Sequence, residues 1–470
     1  MRRLTLLTTI LALAPAASAA AAPAPYDFNA DGRQDVVAGV PLWSENGAPN
    51  SGAVIVVPGA RGGVSLAERL ITESTAGVPG DPEGDDYFGA AVASADFNGD
   101  AYADLATVSG GDTIVVPGAE AGLDTAATQT VAGAGTLAAG DLNRDGYADL
   151  VRGQTQADPL DEADYGSGRI EILFGGADGL RTDIARTIAR PKADLADFGQ
   201  QLALAHVDGD KHLDIVEAAA GSTFDVDFAG IPGHVTVAKG GPSGPTASAL
   251  VGGVLEGGPT SLAVGDVTGD GRVDVVAGVA QDKFHGDDDP LPAGAVRVYR
   301  GTARGLAGKA VTFTQDTRGI PGTSEESDAF GASVAVARID GDRYADIVVG
   351  ASGEDKGAGR VTIVRGGAGG YARTGNRAFG QNSPGIVGRG RAGDAFGAAL
   401  SLLDTTGDRR ADLLIGSPGD RSLTLLRGGR RALATMSVEL TLGSLGITAP
   451  AEPPSEASPF GGVLGRPATS

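Results

Sequence analysis

Cysteine is absent from this 470-residue chain, which excludes disulfide staples and a lipid-bearing cysteine tether. Aromatic residues amount to 5%, with a single tryptophan, and there are only four histidines. So few imidazoles leave few general bases, and neither G-x-S-x-G nor H-E-x-x-H occurs. Paired carboxylates for glycoside chemistry stay open among 59 acidic residues. Positive charge is scarce too: the net charge of −22 argues against nucleic acid and anionic membrane surfaces as partners. Long apolar runs are missing. Leu4 to Ala14 is too short to span a bilayer, and no later stretch is long enough. With Arg2 and Arg3 before that run and Ala17-Ser18-Ala19 after it, residues 1–19 read as a cleaved secretory signal peptide. An exported, soluble protein of residues 20–470 is the expectation.

What the chain has in plenty is glycine, 76 residues, about twice the usual share and without collagen period. That suggests many tight turns between many short strands. A repeat organises them. DFNADGRQD (Asp27 to Asp35) recurs as DFNGDAYAD (Asp96 to Asp104), DLNRDGYAD (Asp141 to Asp149), HVDGDKHLD (His206 to Asp214), DVTGDGRVD (Asp266 to Asp274), RIDGDRYAD (Arg338 to Asp346) and DTTGDRRAD (Asp404 to Asp412). Successive copies start 69, 45, 65, 60, 72 and 66 residues apart.

Each acidic nonapeptide is followed by an apolar run ending in a small residue, such as VVAG after Asp35 and LLIG after Asp412. A loop and a G-x-[VIL]-x-[VIL]-x-x-G stretch come next, as in GAVIVVPG (Gly52 to Gly59) and GRVTIVRG (Gly359 to Gly366). Period-two apolarity bounded by glycine marks half-buried strands. Before four copies stands a run opening on Phe-Gly, at Phe88, Phe198, Phe330 and Phe396. One unit thus holds about four short strands, with the acidic loop between the first and second. Seven such units predict an all-β, seven-bladed β-propeller of four-stranded blades; an open β-solenoid or a string of sandwiches is the alternative.

The combination of Phe-Gly strand, acidic nonapeptide and glycine-bounded strand resembles the FG-GAP repeat of integrin α-subunit β-propellers, over about residues 26 to 464. The resemblance implies calcium in the hairpin loops. The residues themselves agree. D-x-[ND]-x-D-x-x-x-D offers hard oxygens at positions one, three, five and nine, which is calcium chemistry. An EF-hand would need Glu at position twelve, where Ala38, Thr107, Arg152, Ala277 and Ile415 stand. Five calcium sites are expected: Asp27, Asn29, Asp31 and Asp35; Asp96, Asn98, Asp100 and Asp104; Asp141, Asn143, Asp145 and Asp149; Asp266, Thr268, Asp270 and Asp274; Asp404, Thr406, Asp408 and Asp412. The other reading of each loop is that Asp, Asn and Gly make good turns.

Two loops depart from the pattern at the first position. His206 precedes Asp208, Asp210 and Asp214, and Arg338 precedes Asp340, Asp342 and Asp346, so these acids are weaker metal candidates. Arg338 is expected to pair with Asp340, Asp342 or Asp346 in place of calcium.

The first loop lacks a preceding Phe-Gly run. One stands at the other end of the chain, SPFGGVL (Ser458 to Leu464), after a Pro- and Ala-rich linker over 447–458. Residues 459–464 are expected to pair into the first blade and close the ring. Loops opposite the acidic ones carry Trp43, Tyr165, Phe224, Phe228 and Phe284, candidates for a ligand platform or for packing on the rim. The expected function is an extracellular binding or adhesion module for an unidentified protein or glycan. A secreted enzyme acting on glycans or lipid head groups is the alternative.

Overall fold

Alternating Val, Ile and Leu fill short strands that pair in four-stranded sheets, and the turns between them fall on glycine, aspartate and asparagine. The computed structural model describes residues 22–154, 168–191, 197–222, 231–251, 258–280, 293–434, 436–449 and 460–467. They form seven four-stranded antiparallel sheets arranged as the blades of a propeller. Helix is confined to Thr125–Ala127 and Glu354–Gly357 among these residues. Among the described residues no helix is long and apolar enough to cross a membrane.

Blade two shows the pattern. Its inner strand is Val92–Ala95, followed outward by Asp104–Ser109, Asp112–Val116 and Gln129–Ala132. The acidic loop joins the inner to the second strand, as predicted. Equivalent inner strands are Thr136–Gly140, Gln201–Ala205, Ser261–Gly265, Phe330–Ala337 and Ala399–Leu403.

Blade one obtains its inner strand from the far end of the chain. Val463–Leu464 pairs antiparallel with Val36–Val40, in the register Ala38 to Leu464 and Gly39 to Val463. The Gly465 N–H donates to the Val37 carbonyl at 3.0 Å, and Phe460 is fully buried. The predicted closure is therefore present, with both ends of the chain in one sheet.

The Phe-Gly pair itself differs from expectation. It forms a tight turn, and the regular strand begins a few residues later in blades two, four and seven. The residue before each Phe has positive φ: Tyr87, Asp197, Ala329 and Ala395 lie between 53° and 55° or at 56°. Its carbonyl accepts the N–H three residues on, for example Ala90 to Tyr87 at 2.9 Å. Only blade six runs continuously from Phe330, and there a bulge separates Phe330 from Ser333.

That turn is what joins neighbouring blades. The glycine after Phe abuts a glycine on the second strand of the preceding blade. A Cβ on Gly416 would sit 1.8 Å from the Gly461 carbonyl oxygen, and one on Gly350 would sit 2.0 Å from that of Gly397. The same approach recurs at Gly39 with Gly89 and at Gly278 with Gly331. Meanwhile the first glycine of the third-strand signature bridges the Phe of the next blade, Gly52 to Phe88, Gly294 to Phe330 and Gly359 to Phe396. The glycine signatures thus record close backbone approach between blades. The contact between Gly416 and Gly461 shows that the seventh blade meets the closing strand in the same way.

Candidate metal loops and ligand face

The seven acidic loops share one device that the sequence pattern does not reveal. The ninth-position aspartate is buried and clamps two backbone donors from different parts of its blade. Asp104 accepts the N–H of Phe97 through Oδ2 and that of Gly118, at the end of the third strand, through Oδ1, both at 2.9 Å. Asp35 holds Phe28 and Gly59, Asp149 holds Leu142 and Gly175, and Asp214 holds Val207 and Gly240. Asp274, Asp346 and Asp412 repeat it with Thr268 and Gly301, Ile339 and Gly366, and Thr405 and Gly428. Burial pushes Asp35, Asp104 and Asp149 up to about 7 in the metal-free chain, against the opposing pull of those N–H groups. Because the clamp is present in all seven loops, it accounts for a ninth Asp even where the first Asp is missing.

The first position divides the loops. In blades one, two, three, five and seven, one oxygen of the first Asp accepts the N–H of the fifth residue and the other that of the sixth. Asp27 does so with Asp31 and Gly32, both at 3.0 Å, and Asp266 with Asp270 and Gly271, both at 3.0 Å. Asp96, Asp141 and Asp404 match them. The sixth residue has positive φ in these five loops: Gly32, Ala101, Gly146, Gly271 and Arg409. Lys211 and Arg343, its counterparts in blades four and six, do not.

These bonds orient the oxygens of positions one, three and five around the inside of the turn, where each retains a further lone pair. Asn29, Asn98 and Asn143 accept the fifth-residue N–H through Oδ1, while Asp31, Asp100, Asp145, Asp270 and Asp408 accept the seventh. The buried Thr268 hydroxyl has no well-aligned partner although it lies against the Asp274 carboxylate. Thr406 donates weakly to Asp404 at 3.4 Å. An all-oxygen donor set with an orphaned hydroxyl fits a hard cation. Among the described residues, though, no three acidic or histidine side chains are already drawn together as a cage.

Blades four and six are built differently, and here one expectation is corrected. Arg338 does not pair with Asp340, Asp342 or Asp346; its Nη2 lies 3.7 Å from Asp266 Oδ2, in the loop of the preceding blade. The inner strand carries Arg338 to the blade boundary, so its side chain reaches across. The cation within loop six is Arg365, the residue after the third strand, whose Nη2 pairs with Asp340 and lies 3.2 Å from Asp342. Lys239 occupies the same place in blade four, with Nζ 3.4 Å from Asp208. His206 turns away, its Nδ1 2.9 Å from the His212 carbonyl, and Asp210 accepts the His212 N–H. Blades five and seven also carry Arg there, but Arg300 and Arg427 reach carbonyls of neighbouring loops, Ala368 and Arg61.

On the opposite face, Trp43 is 5% exposed and belongs to the hydrophobic core of blade one. It is not a ligand platform, because the Val40 carbonyl and the Gly52 N–H hold its backbone in a turn that folds the indole inward. Tyr165, Phe224, Phe228 and Phe284 lie outside the described residues.

Residues 19–57 and 330–364 match the FG-GAP repeat family model. With seven four-stranded blades in the ring, the chain carries FG-GAP repeats on a propeller consistent with the integrin-α-like kind. Among solved structures it is similar to a lectin from Agrocybe aegerita that recognises non-reducing terminal N-acetylglucosamine, at 15% identity and a TM-score of 0.49 over 87% of this chain and 91% of that one. It is also similar to the Dos1 propeller, at 9% identity and a TM-score of 0.38 over 70% of this chain and 65% of that one.

Proposed function

We propose that this chain is a secreted FG-GAP propeller that holds five calcium ions as structural ties and binds an extracellular protein or glycan. The FG-GAP propeller fold supports a binding or adhesion-type module. The calcium reading is carried by one observation: the double clasp on the first Asp and the positive φ at the sixth residue occur together in five loops and are missing together from two. Asp27, Asn29, Asp31 and Asp35 would hold the ion in blade one, and the matching residues in blades two, three, five and seven. Bound there, a divalent cation offsets the mutual repulsion of three neighbouring carboxylates, about 1 kcal/mol or more per pair; in blades one, five and seven Arg33, Arg272 and Arg410 meet only the fifth-position Asp. Secretion is supported by the signal-like residues 1–19.

The ligand is assigned to the face away from the acidic loops. In the sequence, Tyr165, Phe224, Phe228 and Phe284 fall between the second and third strands of blades three, four and five. Calorimetric titration with calcium tests the metal half, five ions per chain being expected. A glycan array with parallel pull-downs tests the other half: loss of a retained ligand in Phe284→Ala and Tyr165→Ala supports this face, and unchanged retention in both rejects it.

A further inference from the structure

Charge is distributed unevenly along the chain and therefore among the blades. Residues 300–431, which contain blades six and seven, hold 19 of the 37 lysines and arginines against 14 acidic residues. Residues 72–190, which contain blades two and three, hold 6 against 21. The net charge of −22 thus averages two unlike sides, and a basic sector in an acidic chain marks an interaction surface. Of those 19 cations 17 are arginine.

Part of that charge gathers on the face of the acidic loops. Arg343 and Arg409 hold the sixth positions of loops six and seven, Arg430 and Arg431 the turn after the third strand of blade seven, and Arg61 the matching turn of blade one. All five are exposed. Among the described residues none of them forms an ion pair, and Arg343 lies over the Tyr344 ring at 4.8 Å. Backbone contacts join them into one arc. A Cβ on Gly341 would sit 3.0 Å from the Arg430 carbonyl oxygen, and one on Gly428 2.9 Å from Arg410 Cβ. One on Gly407 would sit 3.2 Å from Arg33 Cγ in loop one, and Arg427 donates to the Arg61 carbonyl at 3.4 Å. The carboxylates along the arc are already engaged. Asp31 pairs with Arg33 and Asp408 with Arg410, both at 2.7 Å, and Asp340 and Asp342 pair with Arg365. Asp27 and Asp404 accept N–H groups of their own loops.

We infer that this arc is a docking surface for a sulfated polysaccharide, its sulfate esters on the exposed guanidinium groups. The planar fork of arginine pairs with two oxygens of one oxyanion. A narrow, flexible chain can follow the arc and stay clear of the acidic blades two and three. A DNA duplex or a flat anionic membrane would bring that side close as well, where like charge opposes it. The five exposed side chains are all cations, without the apolar anchors on which protein partners concentrate their binding energy. The inference goes beyond the proposed function: it concerns the opposite face and rests on neither the calcium sites nor the ligand assigned there.

Calorimetric titration of the full chain with a size-defined heparin oligosaccharide tests it, beside the desulfated oligosaccharide, a DNA duplex of similar length and phosphatidylserine vesicles. Heparin should bind, more weakly as salt rises, and the other three probes should bind roughly tenfold more weakly or worse. Combining Arg409→Asn, Arg430→Gln and Arg431→Gln should cost roughly tenfold or more in heparin affinity, with Asn chosen because Arg409 has positive φ. Arg61→Gln with Arg343→Gln, in the adjoining blades, should weaken heparin too. Arg389→Gln, an exposed arginine between the fourth strand of blade six and the inner strand of blade seven, lies on the opposite face and should leave it unchanged. No heparin binding at low salt, equal binding of the desulfated form, equal or tighter binding of DNA or vesicles, or equal losses in Arg389→Gln and the triple variant would each overturn the assignment. The comparison of probes on the unaltered chain holds even where a variant fails to fold.

Discussion

Removing the Asp104 carboxylate strands two buried donors, the N–H groups of Phe97 and Gly118. Asp104→Ala should therefore lower stability by about 2–4 kcal/mol in denaturant melts, and should do so even in chelator. Asp100→Ala removes a carboxylate at the exposed turn and should cost little under the same conditions. Similar costs for the two would refute the clamp. A second residue sets a pH dependence. Gln315 donates to Glu354 at 2.6 Å and Gln381 to Asp420 at 3.2 Å, whereas Glu73 stands at the matching turn of blade one and accepts from Ser109 at 2.8 Å. Burial, with Asp86 beside it, pushes Glu73 up to about 7. A carboxyl raised on folding is proton-bound more tightly in the folded state, so its contribution is present at low pH and lost as pH rises through about 7. Glu73→Gln should lessen the fall in melting temperature between about pH 5 and 7, to which Asp35, Asp104 and Asp149 also contribute, and should raise it at pH 8. An unchanged profile would contradict the assignment. The acidic positions were legible in the sequence, but the clamp was not: Gly118 lies 14 residues from Asp104, and spacing within the nonapeptide says nothing about that partner.

At the scale of one loop and its blade, the cation in blades four and six comes from the end of the third strand. The sequence reading placed it on Arg338 because that residue stands in the motif, while Arg365 lies outside it. Strand pairing is what returns Arg365 to the loop: Val364 pairs with Ile347, next to Asp346. With Arg365 already on Asp340 and Asp342, Arg338→Asp alone should leave calcium stoichiometry unchanged. The double variant Arg338→Asp with Arg365→Gln should raise it by one ion. A gain from the single variant would show that Arg365 does not occupy the loop. The strands themselves were readable from alternating Val, Ile and Leu, since each must bury one face against a neighbouring blade. Trp43 stood between ligand platform and packing because a loop position does not disclose which way a side chain folds, and it packs.

For the whole molecule, closure rests on a two-residue strand and the turn before it. Its short pairing is reinforced by loop-to-loop bonds, present at four of the seven boundaries, in which the first-position carbonyl of one loop accepts the N–H of the eighth residue of the next. Asp96 accepts from Ala148 at 2.8 Å, and at the closure Asp404 accepts from Gln34 at 2.9 Å. Phe460→Ala should cost about 3–5 kcal/mol, and deletion of residues 458–470 should lower the melting temperature of the entire propeller in one transition. Loss of blade one alone, with the rest melting as before, would contradict a closed ring. The closure was legible because a Phe-Gly run at one end matched a gap at the other. The blade contacts behind it were not, since they depend on glycines from two different signatures meeting across a boundary. The central claim is that five of the loops use calcium to tie this ring together, and thermal melting with excess calcium and with excess chelator tests it most directly. A large drop in melting temperature on chelation, reversed by calcium and reduced stepwise in Asp27→Ala and Asp96→Ala, is the predicted result; identical melts in calcium and chelator would contradict it.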